Sequence, residues 1–448
     1  MEMVPRDLKP QIGAALDTFR VVVLHGARQC GKTTLAQAVA AERGGTYTTL
    51  DDPLVRAAAL DDPQTFLHNQ PHPLVIDEIQ LGGDRLVRAV KMAVDDQGGP
   101  GRFLLTGSTN FLTVPTISES LAGRAAILQL RPLSQREIAA HADVVDDPAA
   151  PGRAGIVAAN FESAITAWFR DEVRLGTSAG TARDAYLRFL CRGGYPEPFE
   201  LTGTSRRRWF DSYVTTVLNR DVVDLGDLRA GPALARLIRL AAASTATEVN
   251  LSDWARRIGL DRRTVEGYLG WMQTVFLIHE LPAWTRNRAR RAIKRPKLHM
   301  ADTGLAAALL RFDASGLRTP TATMTGPLVE TFVVNEIAQQ ISAADEAIDM
   351  YHFRDNTGRE VDIVLERTDG SVVAVEVKAS ASPAPSQLRD VAWLRDRSDQ
   401  TEPGTFAAGV LLHTGTHALK LGDRLYVLPI DRLWTSSGPS VPPKMLTS

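Results

Sequence analysis

The sequence predicts an α/β chain of three modules: a parallel sheet with helices on both faces, a helical middle, and a small α/β domain at the C-terminus. Short apolar runs alternate with helical patterns over residues 1–140, and a glycine-rich loop separates the first run from the first long helix. After residue 350, alternating strands are joined by Asp355-Asn356-Thr357-Gly358 and Thr368-Asp369-Gly370 turns. The expected divisions are 1–140, 141–310 and 311–448.

Composition excludes some classes. At 44% hydrophobic residues in 448 there is ample material for buried cores, and a net charge of -1 excludes a wholesale polycation. Cys30 and Cys191 are too few and too far apart for a disulfide framework or a zinc site. The N-terminus carries an acid and a proline where a signal peptide needs a basic start and an apolar core. The Val21–Leu24 run is too short to span a bilayer. A cytoplasmic protein without a membrane partner is expected. No internal repeat or low-complexity tract is visible, and the tail after Ser436 is expected to be poorly ordered.

In the first module, strands are expected at Phe19–Leu24, Thr46–Leu50, Leu74–Asp77, Arg102–Thr106 and Ala126–Leu130, with a helix from about Lys32. The loop Gly26-Ala27-Arg28-Gln29-Cys30-Gly31-Lys32-Thr33-Thr34 fits the phosphate-binding pattern in its required setting, after a buried strand and before a helix. Its glycines let backbone N–H groups and the helix N-terminus face phosphates. ATP with magnesium is the expected ligand, Lys32 reaching the β- and γ-phosphates and the Thr33 hydroxyl ligating the metal. Cys30 within the loop is read as a small residue tolerated at a variable position, since nothing supplies a resolving partner for a redox switch.

Leu74-Val75-Ile76-Asp77-Glu78 is an apolar strand ending in two acids. Asp77 would hold magnesium and Glu78 would polarise the attacking water as general base. The next strand ends in Thr106-Gly107-Ser108-Thr109-Asn110, where a γ-phosphate sensor is expected. Ser108 is the candidate, with Thr106 and Asn110 as alternatives. Arg124 is a candidate for transition-state charge, and an ordinary surface arginine is the alternative.

These segments, with Ser120–Arg124, Arg131-Pro132-Leu133-Ser134, Gly193-Gly194-Tyr195-Pro196-Glu197-Pro198, Lys294–Leu305 and Glu360–Leu365, resemble the predicted AAA-superfamily ATPases of bacteria and archaea that carry a C-terminal domain of unknown function. The resemblance covers nearly the whole chain. It implies an AAA-type sheet in the first module, and it fixes architecture better than biology.

In the middle, residues 141–160 look like an acid- and proline-rich loop, and helical patterns run from about Phe161 to Leu310. Leu251–Gly259 followed by Leu260–Leu269 reads as helix, short turn, helix, with apolar residues at helical spacing. It resembles a winged helix-turn-helix, in which Arg262, Arg263 and Thr264 would open the recognition helix. A lid or protein-contact surface is the open alternative. Arg286, Arg288, Arg290, Arg291, Lys294, Arg295 and Lys297 crowd one segment free of acids. Such a run suits phosphate contacts; the alternative is a hairpin balanced by acids elsewhere in the fold.

In the last module a helix at Gly326–Gln340 precedes strands at Met350–Phe353, Glu360–Glu366 and Val372–Val377, with further strands at Gly409–Leu412 and Leu425–Pro429. Asp362 on one strand and Glu376-Val377-Lys378 on the next resemble the core of restriction-endonuclease-like nucleases. Strand alternation sets Asp362 opposite Val361, Ile363 and Leu365, and sets Glu376 and Lys378 on one face. The resemblance implies Asp362 and Glu376 as ligands for magnesium or manganese and Lys378 as the group that orients water. By analogy with small junction-resolving nucleases, Glu336 is preferred over Glu330 as the helix acid of that metal site.

The expected function is ATP hydrolysis coupled to contact with nucleic acid, DNA above all, with metal-dependent cleavage by the C-terminal module. The rival is a non-cutting, nucleotide-regulated switch that binds protein or DNA and uses that module as a platform. A metabolic kinase shares the loop but finds no small-molecule site in the remainder. Homo-oligomers are common in the resembled superfamily, though one chain displays no interface.

Overall fold

The protein, described here from a computed structural model, is placed over residues 4–435 apart from 69, 97, 109–120, 122, 142–163, 171, 174, 176–179, 225–230, 292–293 and 320. Asn110, the expected loop from residue 142 and the tail after Ser436 lie outside the described residues.

Five parallel strands form the N-terminal sheet: β1 (Val21–Gly26), β2 (Thr46–Thr49), β3 (Leu74–Asp77), β4 (Phe103–Gly107) and β5 (Ala125–Leu130), in the order β2-β3-β4-β1-β5. Around it lie α1 (Lys9–Thr18), α2 (Lys32–Glu42), α3 (Pro53–Asp61), α4 (Pro63–His68), α5 (Gly83–Asp96) and α6 (Gln135–Ala140). β1 is buried along its whole length because alternate residues serve two cores. Val22 and Leu24 pack with Ile12 of α1 and Leu35 of α2, whereas Val21 and Val23 pack with Leu86 and Val90 of α5. At its end, a Cβ on Gly26 would lie 2.2 Å from the Leu130 carbonyl oxygen, so only glycine lets the loop leave the sheet there.

The middle holds α7 (Ala164–Phe169), α8 (Arg183–Arg192), α9 (Gly203–Asp224), α10 (Gly231–Ala243), β6 (Thr247–Glu248), α11 (Leu251–Ile258), α12 (Arg262–Thr274), β7 (Ile278–Leu281), α13 (Arg288–Arg291), β8 (Lys297–Met300), α14 (Thr303–Leu309) and α15 (Ala314–Arg318). The helical periodicity of this stretch hides a three-stranded antiparallel sheet, β6-β8-β7. Its strands are two to four residues long, too short to impose a period of two on the sequence. Gly259, in the left-handed region, ends α11, and the Asp261 carboxylate accepts from the Thr264 N–H at 2.9 Å to begin α12.

The last module has α16 (Thr325–Ser342), β9 (Ile348–Arg354), β10 (Glu360–Arg367), β11 (Val372–Lys378), α17 (Arg389–Thr401), β12 (Phe406–His413), β13 (Leu419–Gly422) and β14 (Leu425–Pro429). Their sheet has the order β13-β14-β12-β11-β10-β9, with β11, β12 and β14 parallel. α16 covers one face through Val333 and Ile337, and α17 covers the other through Val391 and Leu394. The expected alternation along β10 fails at one place. The register against β9 shifts between Val361 and Val364, so Val361 joins the α17-side core while Ile363 and Leu365 join the α16-side core. A bulge thus sits at Asp362 and aims it apart from its strand's regular pattern.

Three motifs that are remote in sequence form one joint between the modules. The Leu133 N–H donates to the Gly194 carbonyl at 2.7 Å. The Asp302 carboxylate accepts from the N–H groups of Gly194 and Leu305, each at 2.7 Å. Gly193, at a φ of 71°, has no room for a Cβ, which would lie 2.4 Å from Asp302 Oδ1. A single cluster of buried apolar side chains runs from Leu8 to Trp434 through all three modules.

Candidate functional site

The phosphate-binding loop joins β1 to α2, and Gly31 stands at the helix N-terminus in the left-handed region. Lys32 is buried, and its ammonium donates to the loop's own carbonyls, Gly26 at 3.0 Å and Ala27 at 2.8 Å. The Cys30 side chain is fully buried and its carbonyl accepts from Arg6 Nη1 at 2.7 Å. Arg6 also donates to the Arg131 carbonyl at 2.6 Å and pairs with buried Glu137 at 3.0 Å. It ties the loop to the end of β5, a long-range role that leaves no local sequence mark.

Asp77 ends β3 and is 3% exposed. Its carboxylate accepts from the hydroxyls of Thr33 and Tyr47, each at 2.8 Å, and from that of Thr106. Burial, then the bond to Asp77, pushes the Tyr47 phenol up to about 12, so it stays a donor. Thr106 therefore orients Asp77. Ser108 instead meets Glu78, whose Oε2 accepts from the Ser108 hydroxyl at 3.1 Å, the Ser108 N–H at 3.3 Å and the Gln80 amide. Glu78 itself holds a left-handed backbone, φ 55°.

A cleft of about 610 Å³ opens over the loop, floored by Arg28, Lys32, Thr33 and Glu78 and roofed by Trp209 and Tyr213 of α9. The two aromatic rings stack at 10° with centroids 5.2 Å apart, and the Tyr213 hydroxyl meets that of Tyr195 at 3.0 Å. Their i, i+4 spacing on a helix was a sequence signal for the pair, but not for its position over the loop. Arg124 is not brought to the cleft. It pairs with Asp95 at 2.7 Å, and its carbonyl accepts from the N–H of Val21, at the other end of β1 from the loop.

In the last module Asp362, Glu376 and Lys378 do converge: the Val377 N–H donates to Asp362 at 2.9 Å, and the Lys378 ammonium pairs with Glu376. Glu336 does not join them. Both its oxygens accept from the Gln135 N–H at 3.0 Å, at the start of α6, and burial pushes it up to about 8. The helix acid that reaches the cluster is Glu330, six residues earlier on α16, which shares the Lys297 ammonium with Asp362. The preference for Glu336 is thereby corrected.

The cluster also contains an unforeseen cation. Lys297 of β8, 2% exposed, places its ammonium 2.7 Å from Glu360, 2.8 Å from Glu330 and 3.4 Å from Asp362. Burial alone would lower this ammonium's pKa, but the charges of Asp362, Glu330 and Glu360 overcome burial and raise it. Burial, then the Asp362 charge, lifts Glu330 and Glu376 each to about 8. Among the described residues, no group of three or more His, Cys, Asp or Glu is arranged to hold a metal ion. A divalent ion does not fit beside Lys297 without displacing it.

Other members of the basic segment are also tied to the C-terminal module. Arg291 forks onto Glu366, Arg286 pairs with Glu402 at 3.1 Å, and Lys294 donates to the Arg354 carbonyl at 2.9 Å. The Ala283–His352 bridge fixes the same segment to the edge of β9. These contacts match the hairpin balanced by acids elsewhere. No helix among the described residues is long and apolar enough to cross a membrane.

Residues 18–139, which hold this loop and its carboxylates, match the family described as AAA domain. The chain carries an AAA domain, and the site that this domain builds is that of an ATPase. Residues 183–316 and 325–433 match two families described as domains of unknown function, DUF8612 and DUF4143. Uncharacterized proteins of Mycobacterium tuberculosis and Mycobacterium bovis are each 26% identical to this chain over 432 residues, covering 96% of it and 85% of their own length. A Walker-type ATPase of Pyrococcus abyssi is similar over 69% of this chain and 96% of its own, at 14% identity and a TM-score of 0.43.

Proposed function

We propose that the protein is an ATP-hydrolysing switch that binds DNA through its helix-turn-helix and does not cut it, acting in the cytoplasm. One observation carries the DNA reading: α10, β6, α11, α12, β7 and, after the short α13, β8 run in the order of a winged helix, and the start of α12 is open. Arg262 and Arg263 are exposed there, with Arg256 and Arg257 exposed on the preceding helix. Such a start suits phosphates and groove edges.

In the nucleotide site, Lys32 exchanges loop carbonyls for phosphate oxygens, and the loop N–H groups bind the same phosphates. Thr33 and Asp77, whose oxygens already lie 2.8 Å apart, would hold magnesium, which when bound neutralises phosphate charge. Glu78 takes a proton from water once Ser108 and Gln80 release its carboxylate. α9 roofs the cleft and packs against α10, so a change over the loop is passed to the helix-turn-helix. The Lys297 contacts favour the non-cutting form of this reading.

The test is fluorescence anisotropy of a labelled duplex with wild type under ATP plus magnesium, ADP, and no nucleotide. Duplex affinity should differ between the ATP and ADP states by about fivefold or more. Binding that is absent in every state, or identical in all three, overturns the switch. Cleavage of duplex, junction or single strand by purified wild type with manganese overturns the non-cutting part.

A further inference from the structure

The carboxylates of the C-terminal module pose a charge problem that the ATPase reading does not address. Glu330 on α16 and Asp362 on β10 meet at one buried ammonium, part-exposed Glu360 reaches it from the start of β10, and Glu376 on β11 is near enough to feel the Asp362 charge. Carboxylates so placed need a cation, because their mutual repulsion is strongest where water is excluded. In a metal-dependent nuclease that cation is divalent. Here the centre is held by the Lys297 ammonium, on three carboxylates at once and nearly sealed from solvent. Glu376 Oε2 is buried without a hydrogen-bond partner, so the cluster keeps an unused oxygen.

The origin of Lys297 matters as much as its position. It lies on β8, the central strand of the three-stranded sheet beside the helix-turn-helix, within residues 183–316; its three carboxylates lie within 325–433. We infer that Lys297 is the resident cation of this cluster, replacing a divalent metal and pinning the helix-turn-helix module to a metal-free C-terminal platform. A lysine is a compact charge on a long apolar stem, suited to crossing a module boundary and ending among several acceptors. As placed around the ammonium these carboxylates form no metal site; with Lys297 neutralised they lose the cation that spaces them and should close on one manganese or magnesium ion, the unpartnered Glu376 oxygen among the ligands.

The experiment counts manganese bound per chain by electron paramagnetic resonance, without nucleotide or DNA, in four full-length proteins: wild type, Asp362→Asn, Lys297→Met, and Lys297→Met with Asp362→Asn. Manganese held at the ATP loop cancels in each comparison with and without Asp362. Wild type and Asp362→Asn should bind equally, and Lys297→Met should bind one ion more than the double variant, with a melting temperature that manganese raises. More manganese on wild type than on Asp362→Asn overturns the inference, because the cluster then holds a metal beside Lys297. Equal binding by folded Lys297→Met and the double variant also overturns it. If Lys297→Met does not fold alone, Lys297→Gln is read in the same way, and the comparison of wild type with Asp362→Asn needs no Lys297 variant. Since no DNA is present, failure of DNA binding would leave the result untouched.

Discussion

Glu78 occupies a left-handed backbone position and is held by Ser108 and Gln80. Its carboxylate is restrained, so its replacement by the isosteric amide should leave the cleft intact. Glu78→Gln should therefore retain ATP affinity by calorimetry while phosphate release falls by about 10²–10⁴-fold; unchanged turnover in the folded variant would remove Glu78 from the chemistry. Lys32→Ala should lose nucleotide binding itself. Arg6 makes a different prediction. Its loss leaves buried Glu137 without its guanidinium and the Cys30 carbonyl without its donor, so Arg6→Ala should cost about 3–5 kcal/mol in urea unfolding. At this scale the chain was readable where chemistry is local: Lys32, Thr33, Asp77, Glu78 and Ser108 lie where strand and loop spacing put them. Arg6 and Tyr47 were not readable, because an isolated arginine or tyrosine carries no periodic signal, and Lys297 was visible only as one of seven cations in a run, with nothing local to single it out.

Elements decide how these side chains meet. α16 carries Glu330 and Glu336 six residues apart, which sets them about 120° apart around the helix axis, so one reaches the carboxylate cluster and the other the start of α6. Glu336 is pushed from 4.5 to about 8 by burial, aided by Glu137 and Asp7 and opposed by the Gln135 N–H and Arg192. The folded state thus holds a proton that the unfolded state releases above about 4.5, and stability falls as pH rises through about 8. Melting temperature should decline from pH 5 to 8.5, and Glu336→Gln should decline less; an identical slope in the variant would exclude this source. The α11–α12 pair makes the second prediction at this scale. Arg262→Ala and Arg263→Ala should each reduce the salt slope of duplex binding by about one, measured by anisotropy across a salt series. A slope that does not change would assign the exposed start of α12 to another partner.

Across the whole molecule, three family matches fall on one folding unit. Trp434, 3% exposed, packs edge-on against Tyr186 and Phe189 of α8 and Phe332 of α16, closing the last module onto the middle one. Trp434→Ala should cost about 3–5 kcal/mol, and calorimetry of wild type should show one cooperative transition. Separate transitions for the modules would contradict the shared core. By itself the sequence determined the loop, the Asp77-Glu78 pair, the α/β plan and the strand carrying Glu376 and Lys378, because each depends on neighbours within a few residues. Only the tertiary structure decided that Glu330 rather than Glu336 joins the cluster of Asp362, that Trp209 and Tyr213 roof the loop, and that Lys297 fills that cluster. Those outcomes join residues 33, 65, 185 or 201 positions apart, and at such separations the approach of side chains is set by module packing and not by strand or helix period.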